Sequence, residues 1–266
     1  MTTFLNWEID DKIAKGYVNA CSEAVKDENF VNFKQDPRYR YILEGGTKKT
    51  FDYFLNKIKS LDNNSIFFDN LELFRRNDFY GNPDLYEDSE IGKFSLTTLK
   101  YVYNALEIVE YVKDSSIDKI VEIGGGYGGL AVVLGGMLDF SEYTLVDLPE
   151  TCNLVNKYIS NYDDLKSRIK SLSCFDIDGF DFTNVDLTIA INSLSECNTD
   201  VQMKYFDQII SKSKYSYVVR NLYSPKCVED HRKTIGSLPD NFLFDDTNRV
   251  EEEYSQNIIV YIKKEN

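Results

Sequence analysis

The sequence predicts an α/β protein: a doubly wound, mostly parallel sheet that closes in an antiparallel hairpin and follows a helical N-terminal segment. Three observations carry this. From Asp118 onward, short apolar runs alternate with helical patterns, as parallel strands joined by right-handed crossovers require. A glycine cluster ends the first of these runs. The last two strand-like runs, 241–244 and 257–262, have only a polar stretch between them and so pair antiparallel. The 266 residues then divide into a helical cap over 1–115 and a sheet domain over 116–266.

In chain order, segments 8–30 and 48–61 carry apolar residues at loose helical spacing. The clearest helix spans 95–113, where Leu99, Val102, Leu106 and Val109 recur at steps of three and four. Turn-rich pieces lie between, among them Tyr80-Gly81-Asn82-Pro83. Lys119–Ile123 is the first strand and Gly129–Leu138 the helix after it. Strands follow at Tyr143–Asp147, Ile169–Ser173 and Val185–Asn192, the last being the most apolar. A helix over 200–212 presents Met203, Phe206 and Ile210 on one face, and Tyr215–Arg220 is the fifth strand.

Composition removes whole classes of function. Thirty Lys and Arg against 44 Asp and Glu give a net charge of −14, which argues against nucleic acid and against an anionic membrane surface. The opening MTTFLNWEIDDKIAKG lacks a basic stretch followed by an apolar run, so no leader is predicted, and no stretch is long enough to span a membrane. Five scattered cysteines without a CxxC pair read as reduced thiols, and so as a cytoplasmic protein. The single histidine, His231, excludes a multi-histidine metal site within one chain. Whether carboxylates hold a metal, and whether the chain forms homo-oligomers, the sequence leaves open.

The decisive passage is Val121-Glu122-Ile123-Gly124-Gly125-Gly126-Tyr127-Gly128-Gly129-Leu130. A glycine-rich turn from strand to helix brings a ligand close to the backbone at a helix start, the usual nucleotide crevice of open α/β sheets. Asp147 ends the next strand, where a carboxylate accepts hydrogen bonds from ribose hydroxyls. Gly124-x-Gly126-x-x-Gly129 satisfies the dinucleotide fingerprint as written. Glu122-x-Gly124-x-Gly126-x-Gly128 also satisfies the (D/E)xGxGxG motif of class I S-adenosylmethionine-dependent methyltransferases. Glu122 favours the second cofactor, because a carboxylate repels a pyrophosphate and attracts the cationic amino-acid end of S-adenosylmethionine.

GGGYGG after KIVEI, then YTLVDLPE, then INSLSE resemble a family of sugar O-methyltransferases of bacterial surface-polysaccharide (capsule) biosynthesis. The turn at Tyr80–Pro83 and the helix from Phe94 to Tyr103 share the resemblance, which covers about residues 75–225. It implies a Rossmann-like, seven-stranded methyltransferase sheet, S-adenosyl-L-methionine as donor, and a hydroxyl of a nucleotide sugar as acceptor. On the donor side Glu122 would reach the methionine end, lined by Gly124, Gly125, Gly126 and Tyr127. Asp147 would hold the ribose and Leu148 the adenine face, with Phe175, Asp176 and Asn192 completing the contacts. Tyr80, Asn82, Ser195 and Arg220 would face the acceptor, Arg220 as a bidentate grip on a diphosphate. An alcohol proton must also be removed, and two bases compete: His231, with an ordinary pKa near 6.5, and Glu196 at the mouth of the fourth strand.

A methyltransferase on another small acceptor, a nicotinamide-dependent oxidoreductase and a non-catalytic scaffold are the remaining readings. An intact glycine motif with Asp147 argues against the scaffold.

Overall fold

The computed structural model describes residues 11–221, 242–245, 249–252 and 255–264, with Asn221 and the three later segments as backbone strands. Strands β3 (Lys119–Ile123), β4 (Glu142–Asp147), β5 (Ile169–Ser173), β6 (Leu187–Ile191) and β7 (Tyr215–Asn221) lie parallel, in the order β5-β4-β3-β6-β7. The order reverses between β3 and β6, so the crevice beyond their carboxyl ends is the switch point of the sheet. β10 (Ser255–Lys264) runs antiparallel to β7, with Val260 opposite Val218. β8 (Phe242–Asp245) and β9 (Arg249–Glu252) pair antiparallel with its two ends.

Among the described residues the sheet therefore holds eight strands, not the expected seven: the polar stretch between the two expected terminal strands contains a strand, β9. A second departure lies in the N-terminal segment, where β1 (Leu85–Asp88) and β2 (Gly92–Ser95) form a separate antiparallel hairpin. Its first strand, LYED, alternates only between exposed and half-buried positions, so no apolar periodicity announces it.

The three longer helices of the N-terminal segment arise within the stretches expected to be helical. In α1 (Asp11–Ala24), Ala14, Tyr17, Ala20, Cys21 and Ala24 make one buried stripe. α2 (Lys48–Lys59) starts at Thr47, whose side chain accepts the Thr50 N–H at 3.2 Å, and buries Phe51, Phe54, Leu55 and Ile58. α3 (Leu96–Tyr111) is capped by Ser95, which accepts the Thr98 N–H at 3.0 Å. It buries Leu99, Val102 and Leu106 as predicted, with Ile108 rather than Val109 completing the face. α4 (Gly129–Leu134), α5 (Pro149–Ile159) and α6 (Thr199–Gln208) are crossover helices. α3 lies between α2 and α4, and α1 packs on α5.

Alternation along the strands sorts the core into two layers. Ile120, Tyr143, Leu145, Leu187, Ile189, Tyr217 and Val219 face the layer that also contains Tyr17, Phe51, Leu99 and Val133. Val121, Ile123, Val146, Ala190 and Val218 face α6, against Val201, Phe206 and Ile209. The N-terminal segment thus shares one continuous core with a face of the sheet. No helix among the described residues is long and apolar enough to cross a membrane.

Candidate functional site

The glycine loop leaves β3 at the switch point. Gly124, Gly126 and Gly128 all take left-handed backbone, at φ 74°, 57° and 91°. A Cβ on Gly124 would fall on that of Ser193, which follows β6, so the carboxyl ends of β3 and β6 touch there. A Cβ on Gly126 would stand 2.9 Å from Leu43 Cδ1, and one on Gly125 2.8 Å from Glu122 Oε2. The sequence assigns these glycines to ligand approach; in the structure their missing side chains make room for protein neighbours. Gly126→Ala combines left-handed strain of about 1–2 kcal/mol with the Leu43 contact. The expected result is a lower midpoint of thermal unfolding, by about 2–4 °C per kcal/mol for a chain of this size. An unchanged midpoint would contradict this packing.

Across the crevice, Asn192 is a non-glycine residue in left-handed backbone, at φ 63°. Its amide donates to the Val219 carbonyl at 2.8 Å, and its carbonyl accepts the Ser195 hydroxyl at 2.7 Å. The Asn192 Oδ1 atom is buried with no hydrogen-bond partner among the described residues. Strained backbone with an unsatisfied polar atom at a strand mouth is a feature of binding sites. Ser195 closes this turn, while Asn198 caps α6 by accepting the Val201 N–H at 2.9 Å.

Three carboxyl groups surround the loop. Glu122 is 3% exposed, on the same face of β3 as Ile120, and accepts the Tyr143 hydroxyl at 2.8 Å. Burial pushes it up to about 7, opposed by Tyr143 and assisted by the charge of Asp147. Asp147 accepts the Leu148 N–H at 2.7 Å and the Gly126 N–H at 3.2 Å, so it ties the loop to β4. Burial raises it to about 6 against those bonds. Glu196, in the turn after β6, is raised to about 7 by burial and then by Asp147. A crevice with three crowded, desolvated carboxyls favours a cationic ligand and disfavours a pyrophosphate. Each carboxylate oxygen has lone pairs to spare for one.

The sign of the pH effect follows. These groups keep protons in the folded state at pH values where the unfolded chain has lost them. Their contribution is complete below the ordinary carboxyl range and is lost as pH rises through 6 to 7. The ligand-free midpoint of thermal unfolding is expected to fall between about pH 5 and about pH 8, and a cationic ligand to raise it more at the upper end. A midpoint that rises over that interval, or a ligand shift independent of pH, would contradict the cluster.

The remaining predicted residues divide by layer. Leu148 lies half-buried just beyond Asp147, against the core on the α6 face. Phe175, 42% exposed, and exposed Asp176 follow β5 at the same edge of the sheet. Arg220 is buried and donates to Gln202 of α6; alternation from Val218 puts it on the face opposite Ile120 and Glu122. The Tyr127 ring is buried at 4.8 Å from that of Tyr158, inside an aromatic cluster with Phe33, Tyr39 and Tyr101. Tyr80 packs on Tyr158 and Tyr162 at the far side of that cluster. Exposed Asn82 donates to Asn32 Oδ1 at 3.0 Å. His231 lies outside the described residues. Among the described residues no group of three or more His, Cys, Asp or Glu side chains is placed to hold a metal ion.

Sequence reasoning missed the buried polar network behind the loop. Lys34, 1% exposed, donates to the Asn77 carbonyl at 2.9 Å and lies 4.3 Å from the centre of the Tyr127 ring. Asn77 donates to Tyr127 Oη at 3.0 Å and to Thr98 Oγ1 at 2.8 Å, and Thr98 donates to Asp78 at 2.7 Å. These residues fix the glycine loop to the N-terminal segment. Glu44 and Tyr39, also missed, belong to the same region.

No family model matches the chain, and no curated protein matches it. Solved structures do. TrmK of M. capricolum, in complex with S-adenosyl-homocysteine, is 11% identical with a TM-score of 0.47, over 60% of this chain and 67% of that one. Magnesium protoporphyrin IX methyltransferase (ChlM) from Synechocystis, with bound SAM, is 12% identical at 0.48, over 63% and 81%. An rRNA methylase from Streptococcus thermophilus is 10% identical at 0.48, over 60% and 95%. At such scores and identities, the functional reading has to rest on the residues of this chain.

Proposed function

We propose that the chain is an S-adenosyl-L-methionine-dependent O-methyltransferase whose acceptor is a hydroxyl of a nucleotide-activated sugar. The observation that carries the donor is the set of three raised carboxyls, Glu122, Asp147 and Glu196, around a left-handed glycine loop at the sheet's switch point. S-adenosylmethionine combines a ribose with a sulfonium and an ammonium, which suits that charge. A nicotinamide dinucleotide would bring its pyrophosphate to the same carboxyls. When bound, the donor supplies an activated methyl group on sulfur.

The chain's own work is to position and to deprotonate. Asp147, held by the Gly126 and Leu148 amides, is oriented to accept ribose hydroxyls. Asn192 Oδ1 offers an unsatisfied acceptor at the opposite strand mouth. Glu196 takes the acceptor proton: a carboxyl raised to about 7 is half ionised at neutral pH and regains its proton readily. His231 is the rival base on sequence grounds. The cap excludes water from the crevice, and Lys93 and Lys100 are candidates for steering a diphosphate. The net charge of −14 supports a small acceptor over a polynucleotide.

The sugar acceptor rests on the sequence resemblance, and so does a role in capsule or other surface-polysaccharide synthesis. A panel of nucleotide sugars incubated with labelled donor, with product mass and methyl position determined, tests it. Methylation of one sugar hydroxyl is the expected result. Transfer only to phenols, lipids or RNA would replace the sugar and leave the donor reading intact.

A further inference from the structure

Residues 40–44 form a single π-helical turn in the N-terminal segment. Such turns are rare and concentrate at functional sites. The turn lies directly on the glycine loop: Leu43 Cδ1 is 2.9 Å from where a Cβ on Gly126 would stand, and Thr97 Oγ1 donates to the Leu43 carbonyl at 3.1 Å. The next residue, Glu44, is only 8% exposed. Its Oε1 atom has no hydrogen-bond partner among the described residues, and neither has the hydroxyl of fully buried Tyr39. Two such acceptors left empty in one region are unusual, because nearly every buried polar atom in a folded protein is paired.

The neighbours satisfy Glu44 only in part: Thr97 hydrogen-bonds to its carboxyl, while Oε1 is left without a partner among the described residues. Lys34, the cation that acts most on Glu44, is hydrogen-bonded to the Asn77 carbonyl. Asp78 adds negative charge, Lys100 offsets it in part, and the Tyr39, Tyr101 and Tyr127 hydroxyls all feel the Glu44 carboxylate. Tyr101 also feels Glu122.

We infer that Glu44 Oε1 and the Tyr39 hydroxyl form a subsite for a primary ammonium group of a ligand lying on the glycine loop. An ammonium donates three hydrogen bonds and brings a positive charge to a buried carboxyl whose Oε1 is unpartnered. The inference rests on the methyl-donor reading above. The ammonium comes either from the methionine part of the donor or from an amino sugar as acceptor.

Two ligand pairs, titrated calorimetrically at pH 8, separate these sources. The first is S-adenosylmethionine against 5′-methylthioadenosine, which lacks the amino-acid part. The second is UDP-glucosamine against UDP-glucose, with S-adenosyl-homocysteine present. Glu44→Gln is expected to weaken the amine-bearing member of one pair by tenfold or more and its amine-free partner by less than twofold, on the scale of one charged hydrogen bond. Tyr39→Phe, which removes an unpaired hydroxyl without changing packing, is expected to act about threefold in the same direction. Equal changes within both pairs, or none, overturn the subsite. Both variants should melt at about the wild-type temperature at pH 8, since Tyr39→Phe loses an unpartnered buried hydroxyl and Glu44→Gln a desolvated charge. Substantially lower melting in both would assign Glu44 and Tyr39 to structure alone. If the wild type binds neither S-adenosylmethionine nor methylthioadenosine, the methyl-donor reading itself falls; discrimination lost in the variants' data alone leaves that reading standing.

Discussion

Replacing Glu196 by glutamine is expected to lower methyl transfer by roughly 10²–10⁴-fold, the usual contribution of a positioned general base. Affinity for S-adenosylmethionine should fall far less than turnover, because Glu122 and Asp147 remain to attract the cationic donor. The physical ground is the environment of Glu196 in the turn that leaves β6, where burial and the charge of Asp147 hold its carboxyl near 7. The pH–rate profile should then lose its acidic limb in the variant. A loss under about tenfold, with the limb intact, would transfer the role to His231, and His231→Ala would have to show the larger effect.

The second large effect belongs to Asp147. Asp147→Ala should weaken S-adenosylmethionine binding by about 1.5–3 kcal/mol, or roughly 10- to 150-fold, the range for hydrogen bonds to a charged group. Asp147 also holds the Gly126 and Leu148 amides, so melting of the variant has to accompany the titration. The apo fold loses those two bonds but is also relieved of a desolvated carboxyl, which limits the change in melting. Unchanged affinity by calorimetry would remove Asp147 from the donor site.

Much of the sheet was legible because its central strands β3, β4 and β6 are buried on both faces. Lys119–Ile123 and Ile169–Ser173 coincide with β3 and β5, and the other parallel strands agree within two residues at each end. The β1–β2 hairpin and β9 were not legible, since LYED and RVEE carry no run of apolar residues and look like solvated loops in the sequence. The loop, Asp147 and Asn192 could be placed at the crevice from the sequence because each follows or ends a strand. Arg220 shows a limit of that reasoning. A strand end alone does not give the face, although two-residue alternation from Val218 does. Lys34, Tyr39 and Glu44 were out of reach. A lysine and a glutamate in a polar stretch read as surface, and only the fold brings Lys34 onto the ring of Tyr127, 93 positions away.

The central claim is that an acidic crevice at the glycine loop takes a cationic methyl donor. Titrating the purified protein in parallel with S-adenosylmethionine and NAD, at about pH 6 and about pH 8, tests it most directly. The account predicts saturable binding of S-adenosylmethionine, tighter at the higher pH as Glu122, Asp147 and Glu196 ionise, and no saturable binding of NAD. Saturable NAD binding with none of S-adenosylmethionine would contradict it.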